Sequence, residues 1–116
     1  MTPVTVLLAL GLALGQLSPL ETYQRDFHGE YAPKGACERA TERWSFRDRD
    51  LVEGQVFCQV SEVMEASGTT VLKTHGCTRN GASIPPRTYR LDLMSADVVK
   101  ARVGETTMLL ERCSAR

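Results

Sequence analysis

Three carboxylates close together in the chain are the first residues that could do chemistry. Asp48, Asp50 and Glu53 lie within six positions, and two carboxyl groups can divide the roles of general acid and general base. Catalysis of that kind requires a converging pocket with perturbed pKa values, and a small domain has little room for one. We therefore interpret them as solvated surface carboxylates, with a small hydrolase as the alternative.

A histidine near two cysteines offers a second possible chemistry. His75 lies two positions before Cys77, on a predicted strand that also approaches Cys58, and a Cys–His pair can act as nucleophile and base. We expect both cysteines to be oxidised, however, and a disulfide sulfur is not a thiolate. The sequence also has no Gly-x-Ser-x-Gly motif, phosphate-binding loop or EF-hand. We therefore expect no cofactor and no metal, and we do not favour an enzyme.

The arginine-rich segment from residue 79 to residue 90 is the candidate for binding. It also contains the stiff pair Pro85-Pro86, and arginine and tyrosine are favoured at protein interfaces. The simpler alternative, which we favour for the segment as a whole, is a solvated loop, since only some loops bind. The candidate binding residues are Arg79, Arg87, Tyr89 and Arg90.

The four cysteines predict a disulfide framework. Cys37, Cys58, Cys77 and Cys113 are separated by 21, 19 and 36 positions, so the close pair typical of a zinc site is missing. An even number of cysteines in a chain that looks exported favours disulfides. Four cysteines allow three connectivities, and the order of the cysteines alone does not select one.

The strand pattern ranks these connectivities. If Ser67-Gly68 forms a two-residue hairpin loop, paired positions sum to 135 and Cys58 faces Cys77. Facing residues in an antiparallel pair lie within the reach of a disulfide. A one-residue bulge near Val63 would shift this register. The preferred bonds are Cys58–Cys77 and Cys37–Cys113.

Several segments alternate between apolar and polar residues, as strands do. Trp44 and Phe46 fall on one face of a short strand, and turn signals recur about every ten residues. The pattern predicts an all-β fold, a small antiparallel meander of five or six strands forming a barrel or a sandwich. Because aromatic residues make up only 6% of the chain, we expect the core to rest on valine, leucine and methionine. The other predicted strands are residues 55–65, 70–77, 89–93, 98–103 and 106–113.

The N-terminal residues predict export. Residues 4–14 are apolar but shorter than the ~20 residues of a membrane span, and Ala13 and Gly15 fit a cleavage site. Residues 1–15 are therefore expected to be a signal peptide, although no basic residue precedes the apolar run and an uncleaved anchor is the alternative. Residues 16–36, broken by prolines and glycines, are expected to be an irregular leader. Residues 37–116 form the predicted disulfide-stapled β domain.

The charge balance excludes some partners. Lys+Arg 14 against Asp+Glu 14 gives a formal net charge of zero, which argues against a nucleic-acid binder and against a polybasic membrane-surface protein. No stable membrane span is expected after cleavage. The core of such a small domain is marginal, so cross-links would help it.

Scattered residues across the chain form a pattern that can be compared with known families. They include a central Cys58-x-Val60 strand and a terminal Leu110-Glu111-Arg112-Cys113. With residues 29–33, Cys37, Gly76-Cys77 and Gly81, this pattern resembles small exported bacterial proteins of unknown function with two presumed disulfides. That resemblance implies a periplasmic or secreted β domain with no assigned activity. The chain is also similar to bacterial periplasmic inhibitors of lysozyme, small β-barrels with a cysteine near each end, but their inhibitory loops have no match here.

These observations favour a non-catalytic function. We expect an exported binding or inhibitory module of the cell envelope, whose partner is a protein or a small ligand and which acts through loops on a rigid scaffold. The alternatives are the small hydrolase and a small-ligand carrier, which would need an apolar cavity inside the barrel.

Overall fold

The computed structural model describes residues 16–113, so the predicted signal peptide at residues 1–15 lies outside the described residues. Within residues 16–113 there are one α-helix, a short 3-10 turn and nine strands. In chain order they are α1 (Pro19–Asp26), β1 (Gly29–Ala32), the 3-10 turn (Ala40–Glu42), β2 (Trp44–Phe46), β3 (Asp50–Glu53), β4 (Val56–Ala66), β5 (Thr69–Arg79), β6 (Ala82–Ser83), β7 (Thr88–Ser95), β8 (Val98–Val103) and β9 (Thr106–Arg112).

Eight of these strands close into an antiparallel barrel. The order runs β4-β3-β2-β1-β9-β8-β7-β5, and the pairing of β4 with β5 closes the ring. Strand β6 pairs only with the end of β5. The predicted all-β fold is therefore confirmed as a barrel. Closure leaves few exposed strand edges on which other chains could aggregate.

The predicted strands are confirmed, but the predicted number of strands is too low. Strands β1, β3 and β6 are not among the predicted strands, because they have four residues or fewer and lie among charged residues or glycines and prolines. No helix among residues 16–113 is long and apolar enough to cross a membrane.

The core contains more aromatic residues than the composition suggested. The ring centroids of Tyr31 and Phe46 lie 5.5 Å apart, and Trp44 lies 6.0 Å from both Phe46 and Tyr89. These rings form a contiguous stack inside the barrel, so the expected core of valine, leucine and methionine is wrong at its centre. Fully buried aliphatic side chains surround the stack, namely Leu51, Leu72, Leu91, Val99 and Leu110.

Helix α1 covers one end of the barrel. Ser18 caps it, with its hydroxyl accepting from the Glu21 backbone amide while the Glu21 carboxylate accepts from the Ser18 amide, a capping box that satisfies two helix-end donors. Tyr23 and Phe27 are buried beneath the helix, and the Tyr23 hydroxyl donates to the backbone carbonyl of Arg47 at 2.6 Å. The expected irregular leader at residues 16–36 is therefore wrong for α1 and β1, and the barrel begins before residue 37.

The hairpin of β4 and β5 follows the predicted register with two local offsets. The turn at Ser67-Gly68 has positive φ at both residues, +53° and +86°, as a two-residue type I′ turn requires. A bulge at Ser61 shifts the pairing by one position, and an extra residue near Gly76 in β5 restores it. Cys58 and Cys77 consequently face each other after all.

Both predicted disulfides are confirmed. The Cα atoms of Cys58 and Cys77 lie 4.1 Å apart across the hairpin, and those of Cys37 and Cys113 lie 5.7 Å apart. The second bond joins residues 76 positions apart and ties the loop after β1 to the end of β9. No cysteine is free.

Candidate binding site at the open end of the barrel

The barrel end opposite α1 contains a surface pocket of about 260 Å³. We call it the basal pocket. It lies where β3 turns into β4 and where β5 ends. Its lining residues come from both turns and from the neighbouring strands, namely Pro33, Thr41, Glu42, Trp44, Glu53, Gly54, Gln55, Val56, Arg79 and Met108.

The floor of the basal pocket is apolar and well supported. Trp44 and Val56 are only 4% and 3% exposed, and the half-buried Met108 packs against the same core. Behind the floor, the ring of Tyr89 meets Trp44 edge to face at an interplanar angle of 86°. Such pairing adds stability beyond the buried area, so the floor is rigid.

A hydrogen-bonded network of three side chains stiffens one wall of the pocket. The Tyr89 hydroxyl donates to Glu53 Oε1 at 2.7 Å, and Arg87 donates to the same oxygen at 2.9 Å and to the Tyr89 hydroxyl at 3.0 Å. Burial raises the pKa of the Tyr89 phenol, and the hydrogen bond to the Glu53 carboxylate raises it further. The phenol is therefore neutral at physiological pH and acts as a donor.

Arg79 supplies the exposed positive charge of the pocket. It is the Cα partner of the inward-facing Val56, which places it at the mouth of the barrel, and the turn at Asn80-Gly81, with positive φ at both residues, ends β5 immediately after it. None of the ion pairs among residues 16–113 involves Arg79. Its guanidinium therefore has five donors available to an incoming group.

The structure brings together three of the four predicted binding residues. Arg79, Arg87 and Tyr89 all lie at this end of the barrel, although Tyr89 is fully buried and not part of an exposed loop. Arg90 is separate: it is exposed, next to the inward-facing Tyr89 on β7, and its Cα partner on β8 is Arg102.

Sequence reasoning missed the apolar half of the pocket. The prediction named the charged segment and overlooked Trp44, Val56 and Met108. The predicted hairpin register does contain part of this information. Paired positions sum to 135 in that register, which places Val56 opposite Arg79 in the same way that it places Cys58 opposite Cys77.

The carboxylates proposed for a hydrolase do not share one pocket. Glu53 lines the basal pocket, whereas Asp48 and Asp50 line two other depressions. Asp48 Oδ1 lies 2.9 Å from Nε2 of His28 and accepts from the Gln24 amide at 3.0 Å, near α1. A converging acid and base are thus not found at the positions that the hydrolase hypothesis requires.

The remaining chemical candidates gain no support either. His75 is exposed on β5, and the sulfurs of Cys58 and Cys77 are bonded to each other. No three histidine, cysteine or carboxylate side chains in the part of the chain described lie close enough to hold a metal ion. The buried rings of Tyr31, Trp44, Phe46 and Tyr89 pack against one another in the interior, where a small-ligand carrier would need its cavity.

Comparison with known proteins finds no family model, no curated protein and no solved structure that matches this chain. The disulfides remain the observation that bears on location. Two bonds that use every cysteine are typical of proteins in an oxidising, exported compartment.

Proposed function

We propose that this chain is a non-catalytic, exported binding or inhibitory module of the cell envelope, periplasmic or secreted, which holds its partner in the basal pocket. The observation that carries the proposal is the unpaired guanidinium of Arg79 above the apolar floor of Trp44 and Val56. A concave apolar surface with a few fixed polar groups is the usual form of a binding site.

The chemistry of the pocket favours a partner that combines a carboxylate with an apolar side chain. The carboxylate would accept a charge-assisted, bidentate hydrogen bond from Arg79, and the apolar side chain would cover Trp44 and Met108. Arg87 is already held by Glu53 at 2.9 Å, so it stiffens the wall and leaves Arg79 as the contact. An acidic segment of a partner protein has these properties.

The hydrogen bonds of the wall favour binding over catalysis. Glu53 already accepts from two donors on one oxygen, and the phenol of Tyr89 has a raised pKa. The Tyr89 phenol is therefore not suited to exchange protons near neutral pH. A rigid wall also reduces the entropy that is lost when a partner binds.

The single tryptophan of the chain makes this proposal directly testable, because Trp44 forms the floor of the basal pocket. We expect a capped peptide of alternating aspartate and leucine to change the fluorescence of Trp44 on binding, and its lysine–leucine counterpart to leave it unchanged. Arg79→Glu replaces an attraction by a repulsion, each worth about 0.2–1 kcal/mol for exposed charges, so it should weaken binding of the acidic peptide by about three- to tenfold.

The matched control is Arg90→Glu, which makes the same charge change at the exposed position outside the pocket. It should leave the affinity within about twofold of the unaltered chain, since Arg90 does not line the pocket and its charge is exposed to screening by salt. Equal losses in the two variants, or binding without any change in Trp44 fluorescence, would contradict the proposal.

A further inference from the structure

Strand β4 has an unpaired edge beside α1. Strand β3 pairs with β4 only from Val56 to Gln59, and one further bond joins the Val60 amide to the Arg49 carbonyl. Beyond that point β4 continues to Ala66 with β5 on one side only. Its other side, residues 61–66, is what we call the free edge.

The register shows which backbone groups the free edge presents. In a hairpin with a two-residue turn, the residues flanking the turn form a hydrogen-bonded pair, and such pairs alternate along the strands. Ala66, Met64 and Glu62 therefore bond to β5, and the amide and carbonyl groups of Val63 and Glu65 face away from it. No other backbone bond within residues 16–113 uses these groups.

A depression of about 360 Å³ lies along this edge, and we call it the edge groove. Leu20 and Gln24 of α1 form one wall, and Val63 contributes the apolar part of β4. Leu20 is 43% exposed, so apolar surface is available on the helix side. Asp48, Arg49, Val60, Ser61 and Glu62 complete the lining.

We propose that the edge groove binds an extended segment of another protein, with alternating basic and apolar residues, as an additional strand on β4. Strand addition uses main-chain hydrogen bonds for affinity and alternate side chains for specificity. Here the inward-facing side chains of the segment would meet Leu20 and Val63, and the outward-facing ones would lie beside Glu62. This surface is separate from the basal pocket and does not depend on its function.

The charges along the free edge itself favour a basic partner over a second copy of this chain. Glu62 and Glu65 form no ion pair with another of the described residues, and residues 61–66 contain no lysine or arginine. The basic residues nearby are Lys73, the partner of Glu62 on the β5 side, and Arg49 at the β3 side of the groove, so a strand added along residues 61–66 meets only carboxylates on β4. Two copies paired edge to edge would bring four carboxylates together, which is unfavourable between neighbouring strands. Charged residues at strand edges commonly prevent such self-pairing.

The test uses residue-resolved amide exchange of the full chain with a capped peptide of about six alternating lysine and valine residues, a usual strand length. At about 90% occupancy, exchange of the Val63 and Glu65 amides should slow about tenfold, because only the free fraction exchanges. The Glu62 and Met64 amides already bond to β5 and should not change. Trp44 fluorescence should stay constant, which distinguishes this groove from the basal pocket.

Two controls separate strand addition from charge attraction. In the first control, alternate backbone nitrogens of the same peptide are methylated. This peptide keeps its side chains but cannot form the backbone hydrogen bonds to β4, so it should give no protection at Val63. Glu62→Lys should weaken binding of the lysine–valine peptide by about three- to tenfold, whereas Glu105→Lys, in the exposed β8–β9 turn, should not.

Three outcomes would overturn the proposal. One is unchanged exchange at Val63 and Glu65 at saturating peptide. Another is equal protection by the methylated peptide. The third is concentration-dependent protection of these amides in the chain alone, with dimers in sedimentation experiments, which would assign the edge to a second copy.

Discussion

Two buried tyrosines show how the same side chain takes different roles inside this barrel. Tyr89 and Tyr31 are both fully buried and both lie in the aromatic stack. The Tyr89 hydroxyl bonds to Glu53 and Arg87. The Tyr31 hydroxyl has no hydrogen-bond partner among residues 16–113, although the Arg112 guanidinium lies 4.9 Å from the centre of its ring.

Because of this difference, we expect the same Tyr→Phe substitution to change the free energy of unfolding differently at the two positions. Tyr89→Phe removes a hydrogen bond to a carboxylate and leaves Glu53 partly unsatisfied, so we expect the free energy of unfolding to fall by about 1–2 kcal/mol. Tyr31→Phe removes a buried hydroxyl without a partner and should be neutral or stabilising. Urea unfolding at neutral pH measures both, and equal destabilisation would show that the Tyr89 network contributes nothing specific.

At the scale of the element, α1 depends on its N-terminal cap. The cap is visible in the sequence, but it is not part of the predicted strand pattern. Ser18 and Glu21 have the spacing of a capping box, and Pro19 occupies the first turn, where proline is well tolerated. Prolines and glycines are frequent between positions 16 and 36, and that composition predicts irregular structure. The local signal was present, but an eight-residue helix is stable only when packed on a barrel.

We expect Ser18→Ala to destabilise this helix by about 1 kcal/mol, because the Glu21 amide loses its acceptor. Faster amide exchange should be confined to α1, since the barrel strands do not use this bond. Binding of the lysine–valine peptide should weaken as well, because Leu20 and Gln24 form one wall of the edge groove. The control is Ser83→Ala in β6, and unchanged exchange in α1 would contradict the role of the cap.

The β4–β5 hairpin was predictable because its information is local. Alternation and the Ser67-Gly68 turn define the pairing over neighbouring residues, and the Cys58–Cys77 bond follows from it. The two offsets, at Ser61 and near Gly76, were not predictable, since nothing local distinguishes them. They cancel each other by position 58, so Cys58 still faces Cys77 as predicted.

At the scale of the whole molecule, closure of the barrel rests on pairings between distant parts of the chain. Strand β1 pairs with β9, with Tyr31 opposite Arg112, and the Cys37–Cys113 bond ties the same two ends. Sequence patterns do not report such contacts, so barrel and sandwich remained equal alternatives. The basal pocket shares this origin, since Trp44 of β2 and Met108 of β9 are far apart in the chain. Of the pocket residues, the predicted register of the β4–β5 hairpin pairs only Val56 with Arg79.

The two disulfides should therefore differ in both reactivity and effect. Cys58 and Cys77 are 0% and 2% exposed in the core, whereas Cys37 is only half-buried. Thiol–disulfide exchange requires access to a sulfur, so mild reductant should open Cys37–Cys113 first. Alkylation followed by peptide mapping identifies the opened bond, and full reduction should raise the intact mass by four hydrogens.

The singly reduced protein should keep its barrel but lose stability. In the chain-entropy model a cross-link over 76 positions contributes about 4.5 kcal/mol, and one over 19 positions about 3 kcal/mol. Opening the longer loop removes the larger constraint on the unfolded chain, while the eight-strand ring and the shorter bond remain. We thus expect native Trp44 fluorescence together with a lower urea midpoint. Earlier opening of Cys58–Cys77 would contradict the control of reactivity by burial. Loss of the native Trp44 signal on opening Cys37–Cys113 would show instead that this bond itself holds the barrel closed.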